Sequence, residues 1–219
     1  MLNLDFLNND YDQKKSINEK VTEAVAIEIL TGSLRPGKRI VEQKLCDKYG
    51  ISRTPVRDVL KSLESMGLIE LLPNRGAIVK GLSSRDIDDI LYMKSLLYPQ
   101  CVRWAIERIT EEEFSMMEET FAFMEFYTVT EDFDKMQKIN RGFEAIIYNA
   151  CHNSELESTM LKYDFFLRYA NADVRLPANY LSVVLEEHRA IYEAFQIRNP
   201  DLGADAAQAH AFRTMLRKK

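Results

Sequence analysis

Apolar residues recur at helical spacing along most of this 219-residue chain, and polar or turn-forming residues punctuate them. Ser16 is placed to cap a helix running to about Thr31. Ile17, Val21, Ala24, Val25, Ile27, Ile29 and Leu30 supply its apolar side, and Gly32 stops it. Leu34-Arg35-Pro36-Gly37 reads as a turn. Val41 to Tyr49 makes a second helix and Arg53 to about Met66 a third. Between them Gly50 provides a left-handed stop, Ile51 plugs the turn and Ser52 is placed to cap the third helix. Pro55 falls in that helix's first turn, where a missing N–H breaks no intrahelical bond. Leu68 to Leu72 and Ala77 to Lys80, separated by Pro73-Asn74-Arg75-Gly76, read as a hairpin.

After Gly81-Leu82-Ser83-Ser84 the pattern is helical to the end, with spans expected at 84–108, 111–127, 131–150, 154–172, 179–197 and 201–217. Ser83 or Ser84 caps the first of these, with Asp86 in its first turn, and Pro99 predicts a kink. The fold class is therefore mainly α. A flexible arm over 1–15 precedes a winged helix-turn-helix over 16–80 with a two-stranded wing, and an all-α helical bundle follows over 84–217.

Hydrophobic content of 46% supports packed cores, and no run of eighteen apolar residues could span a membrane. The polar, acidic start is unlike a secretory signal, which predicts a cytoplasmic protein. Cys46, Cys101 and Cys151 lie far apart in the sequence, without metal or redox spacing, and read as buried reduced thiols. The net charge of −5 is unevenly spread. Residues 1–80 carry 13 Lys and Arg against 11 Asp and Glu, and residues 81–219 carry 16 against 23. The first part suits contact with phosphate, though so mild a basicity calls for focused contacts, doubled by dimerisation.

The third helix has two faces. Val56, Val59, Leu60 and Leu63 share the apolar one. Arg53, Thr54, Arg57 and Lys61 lie opposite, concentrated toward the N-terminal end that a helix of this motif presents to the DNA major groove. Arginine can bond guanine O6 and N7 together. Arg75, at the wing tip, would sit near phosphates or the minor groove. The alternatives are an amphipathic helix with a solvated basic face and an ordinary surface arginine.

The ordered motifs Leu34-Arg35-Pro36-Gly37-Lys38-Arg39-Ile40, Gly50-Ile51-Ser52-Arg53-Thr54-Pro55-Val56-Arg57, Gly67-Leu68 and Arg75-Gly76-Ala77 resemble the GntR family of transcription regulators. The second half resembles the FCD effector domain of its FadR subfamily, through Asp89-Ile90-Leu91-Tyr92, Asn140-Arg141-Gly142-Phe143-Glu144, Glu187-His188-Arg189-Ala190-Ile191 and His210. The resemblance implies a homodimer that binds an inverted-repeat operator, commonly as a repressor, and answers to a small metabolite, by default an organic acid. Its DNA contacts fall on Arg53, Thr54, Arg57 and Gly76, beside Ser52 and Lys61 at the same surface. A contact that is commonly arginine in the family falls on Gln43, which can read adenine but carries no charge.

Many FCD domains hold a divalent metal through an Asp-x-x-x-His pair and two later histidines. The matching positions are Asn140, Glu144, His188 and His210, a donor set suited to zinc, nickel, manganese or iron. The alternative is two packed core histidines hydrogen-bonded to neighbours, in a domain that takes a larger ligand or none. His152 has no counterpart among the ligands and reads as surface. A family arginine that grips a carboxylate falls on Lys94, with Tyr98 where glutamate is usual, and Arg103, Tyr148, Arg168 and Tyr169 could line the same pocket. A helical metal-dependent enzyme built on Glu144, His188 and His210 is the competing function. No Glu-x-x-His pair, nucleophile motif, phosphate loop or dinucleotide fingerprint supports it. The expectation is a regulator and not an enzyme.

Overall fold

The computed structural model describes residues 15–72, 76–170 and 179–217. The expected arm, apart from Lys15, lies outside them, as do Arg75 and the last two residues expected of the 154–172 helix. The chain divides into two compact units near residue 87.

In the first unit α1 (Ile17–Leu30) opens with a reciprocal cap. The Ser16 hydroxyl accepts from the Glu19 N–H, and the Glu19 carboxylate accepts from the Ser16 N–H at 2.7 Å. Its buried stripe, Val21, Val25, Ala26 and Ile29, packs toward α3. Then come β1 (Arg39–Ile40), α2 (Glu42–Tyr49) and α3 (Arg53–Ser65), with Gly50 left-handed between the two helices. Val56, Val59, Leu60 and Leu63 of α3 are all buried. Ser52 stands at the N-cap, but its side chain makes no capping bond. The position is exposed, so water can serve the N–H groups that the hydroxyl leaves open.

The wing gains a strand over expectation. β2 (Ile69–Leu72) and β3 (Gly76–Val79) form the hairpin, and β1 pairs with the outer side of β3, giving the antiparallel order β1-β3-β2. Arg39 faces Ile78 and Ile40 faces Ala77 across that ladder. Two residues are too few for an alternating pattern to announce a strand. Gly76 permits the pairing. Its φ is +81°, and a Cβ there would stand 2.9 Å from the Ile40 carbonyl oxygen.

The Ser83 hydroxyl and the Asp86 carboxylate form a second reciprocal cap, which settles the choice between Ser83 and Ser84. The helix it opens, α4 (Ser84–Arg108), runs through Pro99 without a break. α5 (Glu111–Val129), α6 (Phe133–Ala150), α7 (Ser154–Ala170), α8 (Tyr180–Gln196) and α9 (Pro200–Arg217) complete the second unit. Thr110 with Glu113 caps α5, and Asp132 caps α6. The principal pairings are α5 on α6 and α8 on α9. Between them lies a core of Tyr98, Cys101, Val102, Phe143, Ile147, Ile191 and Phe195. Cys101 and Cys151 are buried free thiols. Burial, with the Cys151 sulfur beside it, pushes the Cys101 thiol up.

Candidate functional site

Each unit assembles its own set of candidate residues. In the first, helix packing and the glycine-permitted sheet bring Gln43, Arg53, Arg57, Lys61 and Gly76 around one groove, together with Arg39 and Glu42. The polar ends are positioned by α2. Arg53 donates to Gln43 Oε1 at 3.2 Å, Gln43 donates to Asp47 Oδ1 at 3.0 Å, and Arg57 Nε lies 3.4 Å from Glu42 Oε2. Both arginines stay exposed, so α2 aims them without withdrawing them from solvent. Ser52 and Thr54 are exposed at the start of α3 but do not line the groove, and Arg75 lies outside the described residues. Sequence reasoning missed Arg39 and Glu42. Arg39 was visible only as part of a motif, and Glu42 carries no signal without the α2–α3 packing.

In the second unit Glu144 of α6, His188 of α8 and His210 of α9 converge, each buried, with one donor atom of each within 4.8 Å of the others. The His188 and His210 ring centroids are 4.7 Å apart, and His188 stacks on Phe143 at 5.0 Å. Neither His188 nitrogen has a hydrogen-bond partner among the described residues. Burial, then the neighbouring His210, holds its pKa well below the usual histidine range, so the ring is neutral and its lone pair is available. Asn140, one turn before Glu144 on α6, also buries an Oδ1 without a partner among the described residues. Buried polar atoms are rarely left in this state. Two imidazoles and a carboxylate converging on one buried point fit a divalent metal in both donor chemistry and spacing.

His210 is oriented from behind. Its Nδ1 lies 2.9 Å from Glu187 Oε2, leaving Nε2 on the side of Glu144 Oε1, 3.9 Å away. Arg217 grips Glu187 with both terminal nitrogens at 2.9 and 2.8 Å. Burial works against the Glu187 charge, but His210 and Arg217 outweigh it and draw its pKa down to about 2. Glu187 and Arg217 were not singled out from sequence. Adjacency to His188 hinted at the first, and the seven-residue interval from His210 along α9 at the second.

Lys94 is joined to this cluster through carboxylates. Its ammonium pairs with Asp164 of α7 and stands 3.5 Å from Glu144 Oε1. Burial opposes its charge, yet Asp164 and Glu144 together raise its pKa above the usual lysine value. Tyr148 donates to Asp164 Oδ2 at 2.7 Å, and the buried Tyr98 hydroxyl has no partner among the described residues. Arg103 is not brought into this cluster. It lies on another face of α4, with 34% of its side chain exposed, and pairs with Asp201 at 2.5 Å. His152 is exposed and pairs with Glu113 at 3.2 Å.

This architecture, a helix-turn-helix with a wing and a separate helical unit holding a buried polar cluster, is that of a DNA-binding regulator. Residues 17–79 match the bacterial regulatory proteins of the gntR family, and residues 89–213 match the FCD domain. The chain belongs to the GntR family, carries a C-terminal FCD domain, and is a transcription regulator rather than an enzyme. It is 26% identical over 184 residues to the uncharacterized HTH-type transcriptional regulator YdhC of Bacillus subtilis, covering 83% of this chain and 82% of that protein. It is 23% identical over 215 residues to the galactonate operon transcriptional repressor of Escherichia coli, covering 86% and 91%. The solved structure of E. coli McbR superimposes with a TM-score of 0.69 at 20% identity, covering 92% of this chain and 96% of that one, a likeness of fold.

Proposed function

We propose that this regulator is a homodimeric, cytoplasmic repressor that reads an inverted-repeat operator and is released by a small organic acid bound beside a divalent metal. DNA reading falls to Arg53, Thr54 and Arg57 at the start of α3, supported by Gln43, Ser52, Lys61, Arg75 and Gly76. The convergence of Gln43, Arg53, Arg57, Lys61 and Gly76 on one groove supports this. Dimerisation doubles the contacts of a unit whose net charge is small, and Tyr92 and Leu96, one turn apart on α4, leave 58% and 59% of their surfaces exposed as apolar area for a second copy. No described helix is long and apolar enough to cross a membrane.

The effector half rests on one observation: buried His188 has both ring nitrogens unpartnered beside Glu144 and His210. A metal held by Glu144, His188 and His210, with Asn140 as a further oxygen donor, would give a carboxylate ligand its anchoring charge. Lys94 is occupied by two carboxylates, so it orders the site and does not grip the effector directly. One of the relatives is named for control of a galactonate operon, and galactonate is an organic acid.

The test is elemental analysis of untagged protein purified without chelators, followed by selection of bound sequences from random duplex DNA. About one metal per chain and an enriched palindrome are expected. No metal after incubation with zinc, nickel or manganese would overturn the metal reading. Binding without sequence preference would overturn the operator reading.

A further inference from the structure

The Glu144 oxygen that faces His210 is also the oxygen that faces Lys94. Oε1 lies 3.9 Å from His210 Nε2 and 3.5 Å from Lys94 Nζ. A metal shared by Glu144 and His210 would therefore meet an ammonium at the same carboxylate atom. The three charged side chains involved are well enclosed, with Lys94 15%, Glu144 11% and Asp164 17% exposed, so water screens them weakly. Lys94 has a second anchor on another helix, α7. Its ammonium also pairs with Asp164, which Tyr148 holds in place at 2.7 Å.

We propose that Lys94 is a tethered cation that competes with the metal for Glu144, with Asp164 as the berth that draws it aside, so that these two residues set the metal affinity of the site. The inference rests on the metal reading above. With Lys94 on Glu144, the carboxylate is neutralised from within the protein. With Lys94 on Asp164, the ammonium no longer competes with an external cation for that Glu144 oxygen. Lys94 and Asp164 act here as positioning residues and are not metal ligands.

Zinc titration of the full chain by calorimetry against a competing chelator tests this, with circular dichroism to confirm folding. Lys94→Gln removes the competing charge and is expected to tighten zinc at least tenfold. Asp164→Asn removes the berth, leaves Lys94 on Glu144, and is expected to weaken zinc at least tenfold. Asp164 acts through Lys94, so the double variant is expected to bind like Lys94→Gln. A double variant whose affinity is the sum of the two single effects would show mere long-range charge and overturn the competition. Equal affinities in wild type and all variants, at one zinc per chain, would overturn it while leaving the metal site standing. Absence of zinc from wild type and every folded variant would overturn both. If Lys94→Gln does not fold, unchanged affinity in Asp164→Asn is enough to reject the proposal.

Discussion

His210 Nδ1 and Glu187 Oε2 are 2.9 Å apart in a buried setting, and the Arg217 guanidinium closes the other side of that carboxylate. Glu187 is held in its ionised form, so it accepts from His210 Nδ1, and Nε2 is the ring nitrogen turned toward Glu144. A carboxylate behind a ligating histidine fixes its tautomer and raises its basicity, and losing such a partner costs roughly 10- to 100-fold in metal affinity. Glu187→Gln is expected to weaken zinc binding by about that factor while keeping one metal per chain, because Glu144, His188 and His210 all remain. Calorimetric titration checks it. An unchanged dissociation constant would mean that Glu187 only supports the fold.

His188 allows a prediction of opposite sign for stability and for metal. A buried polar group without a partner costs about 1–3 kcal/mol. His188 pays that cost when no metal is bound, since both its nitrogens lack partners among the described residues. His188→Leu is expected to raise the stability of metal-free protein by about 1–3 kcal/mol and to abolish the increase in melting temperature expected on adding zinc. Thermal melts with and without chelator show both effects. A variant less stable than metal-free wild type would mean that the ring's stack on Phe143, at 5.0 Å, outweighs its unpaired nitrogens.

Much of this was legible in the sequence because it is local. Caps such as Ser16 with Glu19 and Thr110 with Glu113, and the Val56, Val59, Leu60, Leu63 stripe, are written within a few residues, so the helices could be placed to within a residue or two. β1 was missed because its two residues form a strand only by pairing with β3, 37 positions away at the Ile40–Ala77 pair. The polar cluster was legible only through family resemblance, since Glu144, His188 and His210 come from three different helices. Asp164 could not be found at all. It belongs to the site because α7 sets it against Lys94, 70 residues earlier. On sequence Arg103 is one of several residues that could line the pocket, but position along a helix decides direction, and its face meets Asp201.

Arg57 separates reading of DNA from folding. Its partner Glu42 sits 3.4 Å away and Arg57 is 65% exposed, so the pair contributes little to stability. A bidentate base contact is worth about 1–3 kcal/mol. Arg57→Ala is expected to weaken operator binding by about that amount, relax specificity at one base pair in each half-site, and leave the melting temperature unchanged. Fluorescence anisotropy on operator and scrambled duplexes reads it. Wild-type affinity would remove Arg57 from the base-reading set.

Gly76 can be tested against Gly67, because the two glycines share a positive φ and differ in surroundings. Their φ angles are +81° and +80°, so an alanine at either pays the left-handed strain of about 1–3 kcal/mol. A Cβ at position 67 has nothing within 4 Å, whereas at position 76 it meets the Ile40 carbonyl oxygen at 2.9 Å. The second contact is backbone and cannot be relieved by a rotamer change, so β1 must part from β3. Gly76→Ala is therefore expected to lose more stability in urea than Gly67→Ala. It should also lose operator affinity beyond the stability loss, since Arg39 in β1 and Gln43 just after it line the groove and would shift with the strand. Equal urea midpoints for the two variants would show that the wing keeps its place without the β1–β3 pairing, and the groove would then owe its shape to α2 and α3 alone.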